Sequence, residues 1–263
     1  MLKKISSKFF PTQRKSKESL TTITQQQRIL GAPFHPKPAQ FYNVPEFLNI
    51  CSEQALDSEK NLANQLRSGF TISGYKDSYM DDIVRAFRML KGKRIYIEVG
   101  TFDRGNLAYV SSLLDDNAIL IGVDIQAFEE NDTLVRTKLK PGQKYFSIVG
   151  DSSLPETILM VEEILGDEKA DVVFIDGDHT AYAAMNDYIN FSKFVSEDGV
   201  VLFHDALWEG NSKHKGVYHA LAEIDKFNPV YIVPGWGPCF RISPILFRDP
   251  VWGTVAVVRC QHN

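Results

Sequence analysis

From residue 93 onward, short apolar segments alternate with segments of helical periodicity, and this alternation limits the fold more than any other feature of the sequence. Each apolar segment is nearly continuous, which is typical of strands buried on both faces of a parallel sheet. Their alternation with helices indicates an α/β fold with helices on both faces of the sheet. The predicted strands are Arg94–Val99, Ala118–Ile125, Lys144–Val149, Ala170–Asp176, Gly199–His204, Val230–Val233 and Gly253–Arg259.

The residues before this alternation fall into two regions of different character. Six basic residues and no acidic ones occur within the first 17, and a stretch rich in Thr, Gln and Pro follows. Residues 1–45 are therefore predicted to form a basic tail and an extended arm. Residues 46–89 carry apolar residues at helical spacing, which predicts a helical cap. The main domain is expected over residues 90–263.

Charge, hydropathy and cysteine spacing exclude several classes of protein. The net charge is −4, which argues against a nucleic-acid binder. No apolar run approaches the roughly 18 residues that a membrane span needs. The cysteines Cys51, Cys239 and Cys260 are far apart and odd in number, so they predict neither a disulfide framework nor a zinc site. We expect reduced thiols in a cytoplasmic protein.

Acidic residues mark the ends of five consecutive predicted strands. In an open α/β sheet, ligands bind beyond the carboxyl ends of the strands. One acid at such a place is explained by capping of the next helix. Acids at all five ends predict a ligand site along this edge of the sheet; they are Glu98, Asp124, Asp151, Asp176 and Asp205.

The turn after the first strand reads Glu98-Val-Gly100-Thr-Phe-Asp-Arg-Gly105-Asn106. It lacks the Gly-x-Gly-x-x-Gly of dinucleotide folds, and the chain has no Gly-Lys-Ser/Thr triphosphate motif. A carboxylate at Glu98 would repel a pyrophosphate but attract an ammonium group. Asp124, at the end of the second strand, suits a ribose diol. S-adenosylmethionine carries both groups.

These segments resemble the motifs of class I S-adenosylmethionine-dependent methyltransferases. Glu-Val-Gly-Thr-Phe…Gly-Asn is similar to motif I, Gly-Val-Asp124 to the acidic motif that follows it, and Val-Gly-Asp151-Ser152 to the adenine-contacting motif. Phe-Ile-Asp176-Gly-Asp-His179 and Gly-Val-Val-Leu-Phe-His204-Asp205 look most like the small-molecule O-methyltransferase subgroup. That subgroup includes macrolide-sugar methyltransferases and cephalosporin hydroxylase-like proteins. The resemblance covers about residues 90–260, and Arg104 departs from the glycine often found at its position.

The resemblance implies a Rossmann-like, seven-stranded, mostly parallel sheet in which only the last strand runs antiparallel. It implies transfer of a methyl group from S-adenosylmethionine to a hydroxyl of a small molecule. The cofactor-binding residues that it implies are Glu98, Gly100, Thr101, Phe102, Gly105, Asn106, Asp124, Ile125, Asp151, Ser152 and Asp176.

The resemblance also implies a proton acceptor and a magnesium site at the fourth and fifth strand ends. His179 takes the place of the general base, and Asp176, His204 and Asp205 take the places of the metal ligands. Magnesium prefers oxygen ligands, so a histidine at position 204 weakens the case for this metal. The alternative is a metal-free site in which Asp205 and His179 share a hydrogen bond.

Two other functions stay open at this level. One is an NAD(P)-dependent oxidoreductase on a similar sheet, although the three-glycine spacing of such enzymes is missing. The other is a non-catalytic protein that keeps the cofactor pocket. The sequence does not reveal the acceptor, and it is compatible with a homo-oligomer.

Overall fold

The computed structural model describes residues 56–70, 77–90, 93–234, 239–242 and 255–258. The chain divides into two units, Met1–Gln40 and Phe41–Asn263, and all described residues belong to the second. The tail and arm predicted over residues 1–45 lie outside the described residues.

Helices and strands alternate along the chain as the apolar pattern predicts. The strands are β1 (Ile95–Val99), β2 (Ile119–Asp124), β3 (Lys144–Val149), β4 (Ala170–Ile175), β5 (Val195–Phe203), β6 (Val230–Val233), β7 (Phe240–Arg241) and β8 (Val255–Val258). The helices are α1 (Asp57–Arg67), α2 (Asp77–Arg88), α3 (Gly105–Leu113), α4 (Glu129–Lys138), α5 (Pro155–Leu165), α6 (Ala181–Phe191) and α7 (Val217–Ile224). A 3₁₀ turn, Ser192–Phe194, follows α6.

The strands form one sheet in the order β3-β2-β1-β4-β5-β8-β6-β7. The first five strands pair in parallel, β8 runs antiparallel to β5 and β6, and β7 runs antiparallel to β6. The α/β fold with a mostly parallel sheet is confirmed.

Two details of the predicted sheet were wrong. The described residues form eight strands instead of seven, and both β7 and β8 run against the others. The additional strand, β7, has only two residues, too few for an apolar pattern to indicate it. It follows β6 after a short connection and pairs with β6 in the antiparallel direction, at the edge of the sheet.

The sheet separates two apolar cores because successive side chains of a strand point to opposite faces. In β1, Ile95, Ile97 and Val99 contribute to one core, whereas Tyr96 contributes to the other. Glu98 shares the face of Tyr96 and is therefore carried into a core. This alternation is why an acid near the end of β1 is buried.

The two helices before the sheet pack on the Tyr96 face. Ala63 and Phe70, in and after α1, and Phe87 of α2 belong to the same core as Tyr96. α1 contacts α3, and α2 contacts β6 and β8. Arg67, at the end of α1, lies beside Gly105 of the turn after β1. The amino-terminal helices therefore reach the segment in which the first motif lies.

The sequence did not predict α4. Its residues, Glu129–Lys138, carry acids in the first turn and bases in the last, and Val135 is its one buried residue. A helix with so small an apolar face lacks the periodicity on which sequence-based prediction rests.

The order of the strands creates a crevice between β1 and β4. From β1, the chain adds β2 and β3 on one side and later β4 and β5 on the other. Connections therefore leave the carboxyl ends of β1 and β4 in opposite directions, which opens the position where ligands bind in such sheets.

Two further predictions concern thiols and membranes. Cys239 is buried, whereas Cys51 and Cys260 lie outside the described residues. Among the helices in the described part of the chain, none combines the length and the apolar character that a bilayer crossing requires.

Candidate functional site

A cavity of about 550 Å³ lies at the carboxyl ends of β1 to β4. The predicted cofactor residues that line it are Gly100, Phe102, Asp124, Ile125, Asp151, Ser152 and Asp176. The first half of α6 closes the cavity with side chains that the sequence analysis did not single out, among them Tyr182, Asn186 and Asp187. Glu98, Thr101, Gly105 and Asn106 were also predicted to bind the cofactor but do not line the cavity.

Gly100 allows the turns after β1 and β4 to approach each other closely. Its φ is +86°, in the region that favours glycine, and a Cβ there would lie 2.3 Å from the carbonyl oxygen of Asp176. The amide of Asp176 in turn donates to the carbonyl of Val99 at 2.8 Å. A glycine is therefore required where the two loops form the floor of the cavity.

Glu98 supports the loop from behind. Its carboxyl Oε2 accepts hydrogen bonds from the Tyr96 hydroxyl at 2.7 Å and from Asn106 Nδ2 at 3.0 Å. Burial raises the pKa of Glu98 to about 8. In this arrangement the residue connects β1 to the start of α3, and it does not reach the cavity.

Asp124 organises the cavity wall at the end of β2. Its Oδ2 accepts from the Phe102 amide at 2.7 Å, and its Oδ1 accepts from the Gln126 amide at 2.9 Å. Thr101 Oγ1 lies 3.5 Å from the same carboxylate. A carboxylate has about four acceptor positions, so capacity remains for a ligand's hydroxyl groups.

The third acidic strand end is more exposed. Asp151 Oδ1 accepts from the Ser153 amide at 2.8 Å, and hydrogen bonds from Ser153 lower the pKa of Asp151. The hydroxyl of Ser152 donates to Asp187 Oδ1 at 2.6 Å. Burial raises the pKa of Asp187 to about 6. Asp187 is the only charged residue of α6, and this was the signal that could have pointed to it.

Arg104 fixes the loop between β1 and α3. Its φ is +64°, so an arginine adopts the conformation that a glycine would favour. The buried guanidinium donates to Asp132 Oδ1 at 3.1 Å, to the Gln126 carbonyl at 2.9 Å and to the Phe102 carbonyl. It also lies 4.7 Å from the ring centroid of Phe128. These contacts join the loops that follow β1 and β2.

Two aspartates and two histidines meet at the ends of β4 and β5. Asp176 Oδ1 lies 2.6 Å from His204 Nδ1 and 3.2 Å from His179 Nε2. Asp205 Oδ2 lies 3.0 Å from His179 Nδ1, and Asp205 Oδ1 lies 3.5 Å from His204 Nε2. We call these four residues the His/Asp cluster. The structure brings together all four side chains predicted for catalysis and metal binding.

The backbone after β5 turns sharply to place Asp205 in the cluster. Asp205 has a φ of +48°, which aspartate tolerates better than most residues. His204 is held at the strand end, where its amide donates to the Ile175 carbonyl at 3.0 Å. The contact between Asp205 and His179 expected for a metal-free site is present.

The cluster strongly perturbs its own protonation. Burial lowers the pKa of His179, but hydrogen bonds to Asp176 and Asp205 and the charges of both raise it to about 10. Burial raises the pKa of Asp176, but the charge of His204 and the hydrogen bonds with both histidines lower it to about 2. In this arrangement, His179 therefore carries a proton at neutral pH.

Residues 97–206 match the family model described as a methyltransferase domain. An uncharacterized protein from Acanthamoeba polyphaga mimivirus is 33% identical over 122 residues, which is 42% of this chain and 50% of that protein. The chain thus spans about half the length of the curated relative that it matches.

Solved structures with a similar fold are distant. The MycE methyltransferase of the mycinamycin biosynthetic pathway, in complex with Mg and SAH, is 15% identical with a TM-score of 0.48, over 79% of this chain and 55% of that chain. The calicheamicin methyltransferase CalS11 is 11% identical with a TM-score of 0.47, over 87% of this chain and 98% of that chain.

The matched segment contains the end of β1, the whole of β4, the residues that line the cavity and the whole His/Asp cluster. The family match supports the resemblance to methyltransferases over this segment. Residues 97–206 of this chain are thus similar to the methyltransferase-domain family.

Proposed function

We propose that this chain is an S-adenosylmethionine-dependent methyltransferase that methylates a hydroxyl group of a small molecule. The main support for the proposal is that Asp176 belongs both to the cavity and to the His/Asp cluster. This residue lines the cavity and also contacts both imidazoles of the His/Asp cluster. A ligand in the cavity would therefore have one end close to the imidazoles of the cluster, which can accept or donate a proton.

The cavity suits the cofactor in shape and in chemistry. Gly100 keeps its floor free of a side chain, and Asp124 presents carboxylate oxygens to a ribose diol. Asp151 and Ser152 line the cavity near the end of β3, where the resemblance places the adenine. When bound, S-adenosylmethionine supplies the methyl group, whose C–S electron pair stays on sulfur while the acceptor oxygen forms the new C–O bond.

The role of this chain is to position the acceptor hydroxyl and to remove its proton. Effective transfer needs the oxygen roughly 3–3.5 Å from the methyl carbon. His179 is the proposed proton acceptor, because its side chain is 32% exposed and borders the cavity residue Asp176. It must be neutral to accept the proton, so we expect turnover to increase as the pH rises toward its pKa of about 10.

The donor set of the cluster does not match magnesium. This ion favours oxygen ligands in octahedral geometry, whereas His179 and His204 present imidazole nitrogens. We therefore assign no step of the reaction to magnesium. Deprotonation by His179 alone accounts for the proposed chemistry.

The family match favours a methyltransferase over an NAD(P)-dependent oxidoreductase. A non-catalytic cofactor-binding protein would keep the cavity, but it would have no need for a histidine held between two carboxylates. The His/Asp cluster is thus the feature that separates an enzyme from a binding protein.

The test is turnover with S-adenosylmethionine and a library of hydroxylated metabolites, followed by mass spectrometry. The expected result is S-adenosylhomocysteine together with one product whose mass has increased by a methylene group. The matched control is the His179→Ala variant, which should bind the cofactor but form little product. Reduction or oxidation of a library member with NAD(P), without methylation, would contradict the proposal.

A further inference from the structure

The donor atoms of the His/Asp cluster point to a metal different from the one that the resemblance implies. We propose that Asp176, His179 and His204 bind a divalent transition-metal ion such as Zn²⁺ in place of Mg²⁺. This inference rests on the proposed function in one respect, which is that the cluster is taken to be part of the active site. Its geometric basis is independent of methyl transfer.

The three donor groups are already close enough to share one ion. One ligand atom from each of Asp176, His179 and His204 lies within 4.8 Å of the others. Tetrahedral zinc with bonds of about 2.0–2.1 Å holds its ligand atoms about 3.3 Å apart. The observed separations of 2.6 Å and 3.2 Å from Asp176 Oδ1 to the two imidazoles are within a fraction of an ångström of that value.

The chemistry of the donors selects the class of metal. Imidazole nitrogens suit zinc, iron, nickel and copper, whereas Mg²⁺ is held by carboxylates, carbonyls and water. Two imidazoles and one carboxylate form a set typical of transition metals. The replacement of an oxygen ligand by His204 is therefore expected to change the preference of the site.

Asp205 supplies the outer carboxylate that such sites use. Histidine ligands of metals usually direct their second ring nitrogen to a carboxylate, which fixes the ring. Asp205 lies 3.0 Å from the Nδ1 of His179, the ring atom opposite the one that faces Asp176. It also lies 3.5 Å from the Nε2 of His204, again on the side away from Asp176. One carboxylate thus lies on the outer side of both imidazoles and is close enough to His179 to orient its ring.

The site is accessible from the cavity. Asp176 lines the cavity, and the side chain of His179 is 32% exposed, whereas that of His204 is 3% exposed. An ion can therefore enter from the side on which the acceptor is proposed to bind. Since His179 cannot hold a metal and accept a proton with the same nitrogen, we expect the bound metal to slow methyl transfer.

The experiment uses the full chain, stripped with a chelator and then dialysed. Zn²⁺ and Mg²⁺ are titrated by calorimetry, and Co²⁺ is added as an absorbing probe of nitrogen ligation. We expect one Zn²⁺ or Co²⁺ per chain and no detectable Mg²⁺ binding. His179→Ala and His204→Glu should each weaken Zn²⁺ binding at least about tenfold. The exposed His214→Ala is the matched control and should bind like the wild type.

The outcomes separate this inference from the proposed function. Failure to bind Zn²⁺ and Co²⁺, Mg²⁺ binding as tight as Zn²⁺ binding, or unchanged Zn²⁺ affinity in both variants would each overturn the metal site. S-adenosylhomocysteine is titrated into the same samples. Its binding shows that each variant is folded, and it also reports on the cofactor cavity. Binding of S-adenosylhomocysteine without metal binding overturns this inference alone, whereas metal binding without binding of S-adenosylhomocysteine overturns the proposed function alone.

Discussion

The two halves of the site use acidic residues in opposite ways. At the ends of β2 and β3, Asp124 and Asp151 accept hydrogen bonds from backbone amides, one of which, that of Phe102, comes from the turn after β1. At the ends of β4 and β5, Asp176 and Asp205 instead contact the imidazoles of His179 and His204. The first pair shapes the wall of the cavity, and the second pair raises the pKa of His179.

This difference predicts that binding and chemistry are separable. A carboxylate held by backbone amides keeps its charge and presents fixed acceptors to a ligand. A carboxylate paired with a histidine shifts the pKa of its partner, as at His179. Changes at β2 should therefore affect cofactor affinity, whereas changes at β4 and β5 should affect turnover.

The largest effect is expected from His179→Ala. Loss of the proposed proton acceptor should reduce kcat by roughly 10²–10⁴, measured at about pH 9, where more of the wild-type histidine is neutral. Affinity for S-adenosylhomocysteine should stay nearly unchanged. Steady-state kinetics and calorimetry on one sample give both values, with His214→Ala as the control. Near-normal kcat in the variant would remove His179 as the base.

The second effect concerns the loop between β1 and α3, which Arg104 fixes. In Arg104→Gly, glycine adopts the positive φ more easily, which should regain about 1 kcal/mol. Loss of the buried guanidinium should cost about 3–5 kcal/mol. We expect a net decrease of about 2–3 kcal/mol in the free energy of unfolding. The cost of removing the guanidinium should lie at the low end of its range, because the hydroxyls of Tyr145 and Ser147 still donate to Asp132.

Denaturant unfolding measures this decrease. The control is Arg94→Ala, whose ion pair with Glu168 is about half exposed on both sides and should change stability by less than about 1 kcal/mol. An Arg104→Gly variant as stable as the wild type would show that the loop is held by other contacts.

A smaller effect is expected from Asp124→Ala. Loss of its hydrogen bonds to the ribose should weaken S-adenosylhomocysteine binding by about 1.5–3 kcal/mol. Calorimetry checks this value, and Asp116→Ala, an exposed carboxylate remote from the cavity, serves as the control. Equal affinities in the two variants would mean that the ribose does not lie at Asp124.

The smallest effect, taken per pH unit, is the dependence of the rate on pH. The pKa of His179 is raised to about 10, so below that pH only a small fraction of the side chain is neutral. In chelator, kcat should rise by up to about tenfold per pH unit between about pH 7 and 9. The His179→Ala profile should be flat over the same range. A wild-type plateau beginning near pH 7 would contradict the protonated state described for the cluster.

The sequence predicted the fold and the positions of the acids because both follow from the apolar pattern. Buried strands are recognisable from continuous apolar segments, and residues at their carboxyl ends meet along one edge of the sheet. This reasoning located Asp176, His179, His204 and Asp205 correctly as neighbours.

What the sequence did not reveal depends on three-dimensional contacts. The direction of Glu98 follows from the pleat of β1 and from its hydrogen bond with Asn106, and its place near a strand end did not indicate that it lies outside the lining of the cavity. The role of Arg104 required knowing that Asp132 of α4 lies beside it. The raised pKa of His179 results from two carboxylates on different strands, which no local motif indicates.

The most direct test of whether this cavity holds the methyl donor is calorimetric titration of the wild type. One titration uses S-adenosylhomocysteine, and a separate one uses NAD. The account predicts binding of one S-adenosylhomocysteine per chain with an affinity in the micromolar range, and no heat from NAD. Clear binding of NAD without binding of S-adenosylhomocysteine would contradict it.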